Sequence, residues 1–215
     1  MKIIVMILMF LITLIINLFS QTDEGYIKSA YDAIQSKDYS TAEEFYTKAI
    51  NQQPKYAPSY YGRGLARTYL NDLGAAISDF TKAIGINPNY HEAYYSRGLC
   101  YTKQSKFKKA ETDFQKAIDI NSEVAKYYYA LANVFYYEEK DDAALNYYTK
   151  AIEKDSNLGL AYYGRAVIHK LNKRLDAALQ DFQKYIDLNG NKDGLASEVE
   201  RLMNEIRQEK LDMQE

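Results

Sequence analysis

The stretch Ala57–Tyr90 reads APSYYGRGLARTYLNDLGAAISDFTKAIGINPNY, and its pattern decides the fold. Tyr60, Gly64 and Arg67 stand at i, i+4 and i+7, which places them on one face of a helix. Asn71-Asp72 interrupts that pattern. Ile77, Phe80 and Ile84 then recur at spacings of three and four until Pro88 stops a second helix. One helix–turn–helix of this size cannot bury its apolar faces alone, so it needs neighbours of the same kind.

The neighbours are present. Ala42, Ala76, Ala110, Ala144 and Ala178 are spaced by 34 residues, as are Tyr26, Tyr60, Tyr94, Tyr128 and Tyr162. A ring column runs Tyr46, Phe80, Phe114, Tyr148 and Phe182, and a small-residue column Ala30, Gly64, Gly98, Ala132 and Ala166. Small residues fall where helices approach closely and rings where the gap is filled. Five units follow without insertion: 23–56, 57–90, 91–124, 125–158 and 159–192. Beyond them Leu195, Val199, Leu202, Met203 and Ile206 share a helical face opposite Glu198, Glu200, Arg201 and Glu205. This predicts a capping helix over 193–210 with a polar outer side, and a frayed tail over 211–215.

The columns resemble the tetratricopeptide repeat family over residues 23–192, with Tyr where the first helix usually carries Trp. The resemblance implies an all-α, right-handed superhelical solenoid of five repeats plus the cap. It also implies a non-enzymatic protein-binding scaffold whose first helices line a concave groove. Carried over by position, the groove column reads Tyr61, Tyr95, Tyr129 and Tyr163, with Asn133 and Tyr136 further along. Family members that bind chaperone tails grip a terminal carboxylate with Lys, Asn and Arg. Here only Lys126 and Asn133 stand at such positions, so the resemblance points to a ligand rich in apolar and hydrogen-bonding groups instead. Tyrosine suits that work, offering large contact area, few torsions to freeze and a hydroxyl. Packing between first helices is the competing role for the same rings.

Arg63, Arg97 and Arg165 occupy one column, and Asp79, Asp113 and Asp181 another, in the same three units. Where the arginine is absent the aspartate is too: Ser29 goes with Phe45, and Leu131 with Tyr147. The co-occurrence predicts structural ion pairs, within a unit or between neighbours. Asp79, Asp113 and Asp181 also stand three residues before Lys82, Lys116 and Lys184, the spacing of surface pairs.

Composition removes other classes. Lys and Arg number 27 against 29 Asp and Glu, a formal charge of −2, without the basic excess of a nucleic-acid binder. One cysteine, Cys100, excludes an internal disulfide and a multi-thiolate zinc site. His91, read as preceding its unit's first helix, and His169, at a packing position, form no catalytic pair in sequence. The acidic turn Glu138–Asp142 lacks the spacing and glycine of a calcium loop. Neither a phosphate-binding glycine loop nor a hydrolase or zinc-protease motif occurs, so no cofactor, no metal and no catalytic residue is expected.

Residues 1–20 stand apart. Lys2 precedes the apolar run Ile3–Phe19, which reads as a secretory signal peptide or as an uncleaved membrane anchor. Seventeen residues at about 1.5 Å each reach roughly 25 Å, at the short limit for a bilayer core of about 30 Å. Either way the positive start remains cytoplasmic and the repeats face outward. The expectation is an exported protein, periplasmic or associated with the cell envelope, that binds a peptide or helix of a partner. The alternatives are an assembly factor anchored in the inner membrane and, behind it, a carbohydrate-binding module using the stacked rings.

Overall fold

The computed structural model describes residues 25–189 and 194–213. The candidate leader or anchor, residues 1–20, lies outside them. The described residues form eleven helices and no strand. They are α1 (25–35), α2 (Tyr39–Gln52), α3 (Ala57–Tyr69), α4 (Leu73–Ile86), α5 (His91–Lys103) and α6 (Phe107–Ile120). Then follow α7 (Ala125–Tyr137), α8 (Asp141–Lys154), α9 (Gly159–Leu171), α10 (Leu175–Asn189) and α11 (Ala196–Asp212). The chain divides into two compact units, Met1–Cys100 and Tyr101–Glu215. In the first, α3 packs on α2 and α4. In the second, each helix from α6 to α11 packs on the next.

The turn inside every hairpin is built the same way. Lys37, Asn71, Ser105, Glu139 and Lys173, 34 residues apart, all take the left-handed conformation with φ between 55° and 63°. The following N–H reaches back six residues inclusive: Asp72 to the Arg67 carbonyl (2.9 Å), Lys140 to that of Phe135 (2.9 Å), Arg174 to that of His169 (2.8 Å). The left-handed residue itself donates to the carbonyl three back, as Asn71 does to Thr68 (3.1 Å). This is the Schellman closure, here without glycine. The next helix starts on Asp38 in α2 and on Asp72 in α4, whose carboxylates accept from Thr41 and Ala75. In α6 and α8 the same position holds Lys106 and Lys140, and no side chain caps the helix. Between hairpins, Asn87, Asn121 and Asp155 accept from the N–H two residues on, making a repeated Asx turn.

Packing explains the small-residue columns. A Cβ on Gly64 would meet the Phe80 ring at 2.6 Å. One on Gly62 would meet the Tyr46 ring at 2.3 Å, and one on Gly164 the Tyr148 ring at 2.4 Å. The residues sixteen beyond the ring column read Gly62 after Tyr46, Ser96 after Phe80, Ala130 after Phe114 and Gly164 after Tyr148. Glycine thus stands where the buried ring carries a hydroxyl, and a Cβ is present where it does not.

Three boundaries differ from the sequence reading. His91 is the first residue of α5 rather than a residue before it, and its Nδ1 lies 3.3 Å from Glu92. The last helix starts at Ala196 and runs past 210 to Asp212. Val199, Met203 and Ile206 bury its apolar face with Tyr162, Phe182 and Tyr185. Lys170 and Lys173 pair with its Glu205 and Glu209, and its Lys210 with Asp176, so charge as well as burial holds its last turns.

Candidate functional site

Arg63 with Asp79 and Arg165 with Asp181 meet inside their repeats. In α3, Arg63 donates from Nε and Nη2 to both carboxylate oxygens of Asp79 in α4, at 3.0 and 2.7 Å. Its remaining Nη1 donates to Thr47 in α2 at 3.1 Å, and its plane lies over the Tyr60 ring. Arg165 repeats this with Asp181 (2.7 and 2.8 Å), Thr149 (3.1 Å) and Tyr162. The bond to Asp181 raises the Arg165 pKa further. Each guanidinium thus staples three successive helices. Arg97 donates to Thr81 in α4 at 2.9 Å and lies over Tyr94, and Asp113 is buried in α6. Where the fourth unit has Leu131 and Tyr147, the threonine position is Gln115, which accepts from the Tyr147 hydroxyl at 3.3 Å. The three aspartates are buried while Lys82, Lys116 and Lys184 are exposed. Their carboxylates therefore face inward rather than pairing with the surface lysines.

His169 sits beside the second staple. Its Nε2 lies 4.0 Å from Asp181, and its Nδ1 is buried without a hydrogen-bond partner. Burial lowers its pKa and outweighs the pull of Asp181. Cys100 is fully buried, with its sulfur 3.6 Å from the Thr68 hydroxyl.

The tyrosine columns divide. Tyr61 of the first unit is packed: its ring lies 4.9 Å from Tyr90 and 5.8 Å from Phe80, and burial raises its pKa. Tyr95 is half-buried. Lys126 is exposed and lies over the Tyr127 ring. In the second unit the structure brings Tyr129, Asn133, Tyr136 and Tyr163 to one pocket of about 270 Å³. Tyr137, Tyr148, Gly164 and Val167 complete its lining, and none of these side chains is charged. Tyr148 forms the floor. It is 2% exposed, burial raises its pKa, and its hydroxyl donates to Asn133 Oδ1 at 2.5 Å. Gly164 leaves room for that ring. Tyr137 stands at the rim, 58% exposed and stacked on Phe107. A second hollow of about 410 Å³ shares Tyr163 and Val167 with the first and extends to Leu171 and Leu202.

Tyr137 and Tyr148 are the lining rings that the groove column does not contain. Tyr148 belongs to the core column, and the glycine opposite it is the one sequence signal that its hydroxyl reaches somewhere. Among the described residues no group of three or more His, Cys, Asp or Glu is placed to hold a metal ion. No described helix is long and apolar enough to cross a membrane.

The sequence columns, paired helices and turns define a helical-repeat scaffold. Tetratricopeptide repeat families match residues 57–90, 91–123 and 129–193, together well over half of the chain. The chain belongs to the tetratricopeptide repeat family, whose domains bind protein or peptide partners. No curated protein matches it in sequence. Among solved structures it is similar to MamA (22% identity, 80% of this chain and 94% of that one, TM-score 0.70). It is also similar to YrrB, described as having an unusual peptide-binding site (23%, 85% and 97%, TM-score 0.66). A tetratricopeptide repeat protein from Parabacteroides merdae aligns at 19% identity over 87% of this chain and 74% of that one, TM-score 0.73. At these identities the likeness is one of fold.

Proposed function

We propose that the array is a non-enzymatic scaffold that holds an extended segment of a partner protein in the tyrosine-lined pocket between α7, α8 and α9. The observation that carries this reading is the pocket's chemistry. Four phenols and an amide surround an uncharged space above a fifth, buried phenol. Such walls bury apolar surface and still hydrogen-bond a backbone, the combination that a peptide requires. The neighbouring hollow past Tyr163 gives a bound segment room to continue. The test is affinity co-purification with the chain from its host, beside a Tyr129→Ala/Tyr163→Ala variant with an unchanged circular dichroism spectrum. A partner retained by the wild type and lost by the variant supports the pocket. A partner list that survives the double replacement excludes it.

The N-terminal run supports export as part of the same reading. With Lys2 before it and Asp23-Glu24 after it, residues 1–20 act as a signal peptide and the repeats work in the cell envelope. Sequencing the N-terminus of the protein from its host decides: a start near Gln21 is expected, and a retained Lys2 makes it an anchored assembly factor.

A further inference from the structure

Resting on the pocket reading above, we infer that Tyr148 is a positioning residue: its buried hydroxyl holds the Asn133 amide so that Nδ2 faces the pocket and donates to a carbonyl oxygen of the partner. The residue columns point to it. The core column reads Tyr46, Phe80, Phe114, Tyr148 and Phe182, all buried. Phenylalanine fills the place in three units, so packing does not need the Tyr148 hydroxyl. The column of Asn133 reads Tyr31, Leu65, Leu99, Asn133 and Val167, with an amide at this position alone. The other units thus set Phe80 with Leu65, Phe114 with Leu99 and Phe182 with Val167, while Tyr46 goes with Tyr31. A phenol and an amide enter together in the fourth unit, with Gly164 leaving room for the ring. Replacing both members of such a bond by apolar groups of similar shape is close to neutral for stability, so the fold alone does not call for the pair.

The bond selects one orientation of the amide. The Tyr148 hydroxyl donates to Asn133 Oδ1 at 2.5 Å, and Asn133 is its one hydrogen-bond partner among the described residues. Were the amide turned over, the buried phenolic proton would lose its acceptor, and a buried donor left unmade is costly. With Oδ1 held toward the floor, the planar amide turns Nδ2 the other way, toward the space that Asn133 lines. Nδ2 makes no bond within the described residues. It can only donate, so the group it meets is an acceptor. The acceptor that every residue of an extended segment presents is its backbone carbonyl.

The test uses the full chain in its host, with p-benzoyl-phenylalanine in place of Tyr137 as the probe and the yield of protein adduct as the readout. Tyr148→Phe removes the hydroxyl and keeps the ring, and Asn133→Leu copies the neighbouring units. Each is expected to lower the yield about fivefold, what one uncharged hydrogen bond is worth. The decisive variant is Tyr148→Phe/Asn133→Leu, expected to match the wild type in chemical denaturation and still to show the same loss of adduct. A double variant that regains both stability and adduct would overturn the positioning role, since a pair that only packs behaves that way. If Tyr148→Phe keeps the full yield while Tyr129→Ala loses it, the positioning role is wrong and the pocket reading stands. If no adduct forms, or Tyr129→Ala leaves it unchanged, both fall.

Discussion

Gly164 is the residue on which the second unit's packing turns. Its missing side chain is occupied by the Tyr148 ring, whose Cζ and hydroxyl would lie 2.4 and 2.7 Å from an added Cβ. Gly164→Ala is therefore expected to destabilise the fold by about 1–3 kcal/mol, the usual cost of overpacking. Tyr148→Phe should recover part of it, because Phe114 already coexists with Ala130 at the equivalent positions. Chemical denaturation of the two single variants and the double variant measures the coupling, and strict additivity would refute it. Arg165→Ala leaves Asp181 buried without its bidentate partner, at a cost of about 3 kcal/mol or more. Arg165→Leu/Asp181→Tyr, copying Leu131 and Tyr147, should restore much of that, and a double variant as unstable as Arg165→Ala would count against the copy. His169 adds a pH dependence. Its pKa is lowered in the fold, so the folded state resists its protonation. Its contribution is complete above the unfolded value near 6.5 and is lost as pH falls through the folded one. His169→Phe should flatten that slope in thermal melts between about pH 7 and pH 5, and an unchanged slope would remove His169 from the account. The columns made Arg63 with Asp79 and Arg165 with Asp181 legible in sequence. The threonine that each guanidinium also grips lies one repeat upstream, Thr47, Thr81 and Thr149 for Arg63, Arg97 and Arg165, and only the stacked helices show why it accompanies them.

At the scale of the element, the helices were legible because apolar spacing and turn residues agreed. Asn71-Asp72 announced its turn, having one residue that tolerates a left-handed backbone and one that caps. Ser105, Glu139 and Lys173 adopt the same backbone without announcing it, because the period imposes a conformation that their own chemistry does not favour. The caps are uneven for a related reason. Asp38 and Asp72 satisfy a helix N-terminus, whereas Lys106 and Lys140 leave one bare and place a cation at its positive end. Lys106→Asp is expected to stabilise the fold by about 1 kcal/mol, read as a higher denaturation midpoint at unchanged slope. A lower midpoint would mean that the lysine makes a contact worth more than a cap. Helix α11 begins at Ala196 rather than 193: Leu195, its N-cap, is partly buried against the same core, and full burial starts at Val199. Its end was misjudged because the Glu209 and Lys210 ion pairs to Lys173 and Asp176 are long-range in sequence.

For the whole molecule, the period of 34 made the class of fold readable before any helix was placed. Half of the pocket's lining was readable. Tyr129, Tyr163, Asn133 and Tyr136 were picked out by position and meet in one pocket, whereas Tyr61 is spent on packing against Phe80 and Tyr90. A column in sequence is uniform, but the neighbours of each ring differ. Tyr90 fills the space beside Tyr61, and no ring occupies the corresponding space beside Tyr129, because Leu158 stands at that position. The central claim is that a partner is held at the Tyr129–Tyr163 pocket. The most direct measurement places a photo-crosslinking amino acid at Tyr137, on the pocket's exposed rim, or at the exposed Lys116 of α6, in the host. A single protein adduct formed through position 137 and absent from position 116 is the expected result. An adduct through position 116 alone, with none through 137, would contradict it.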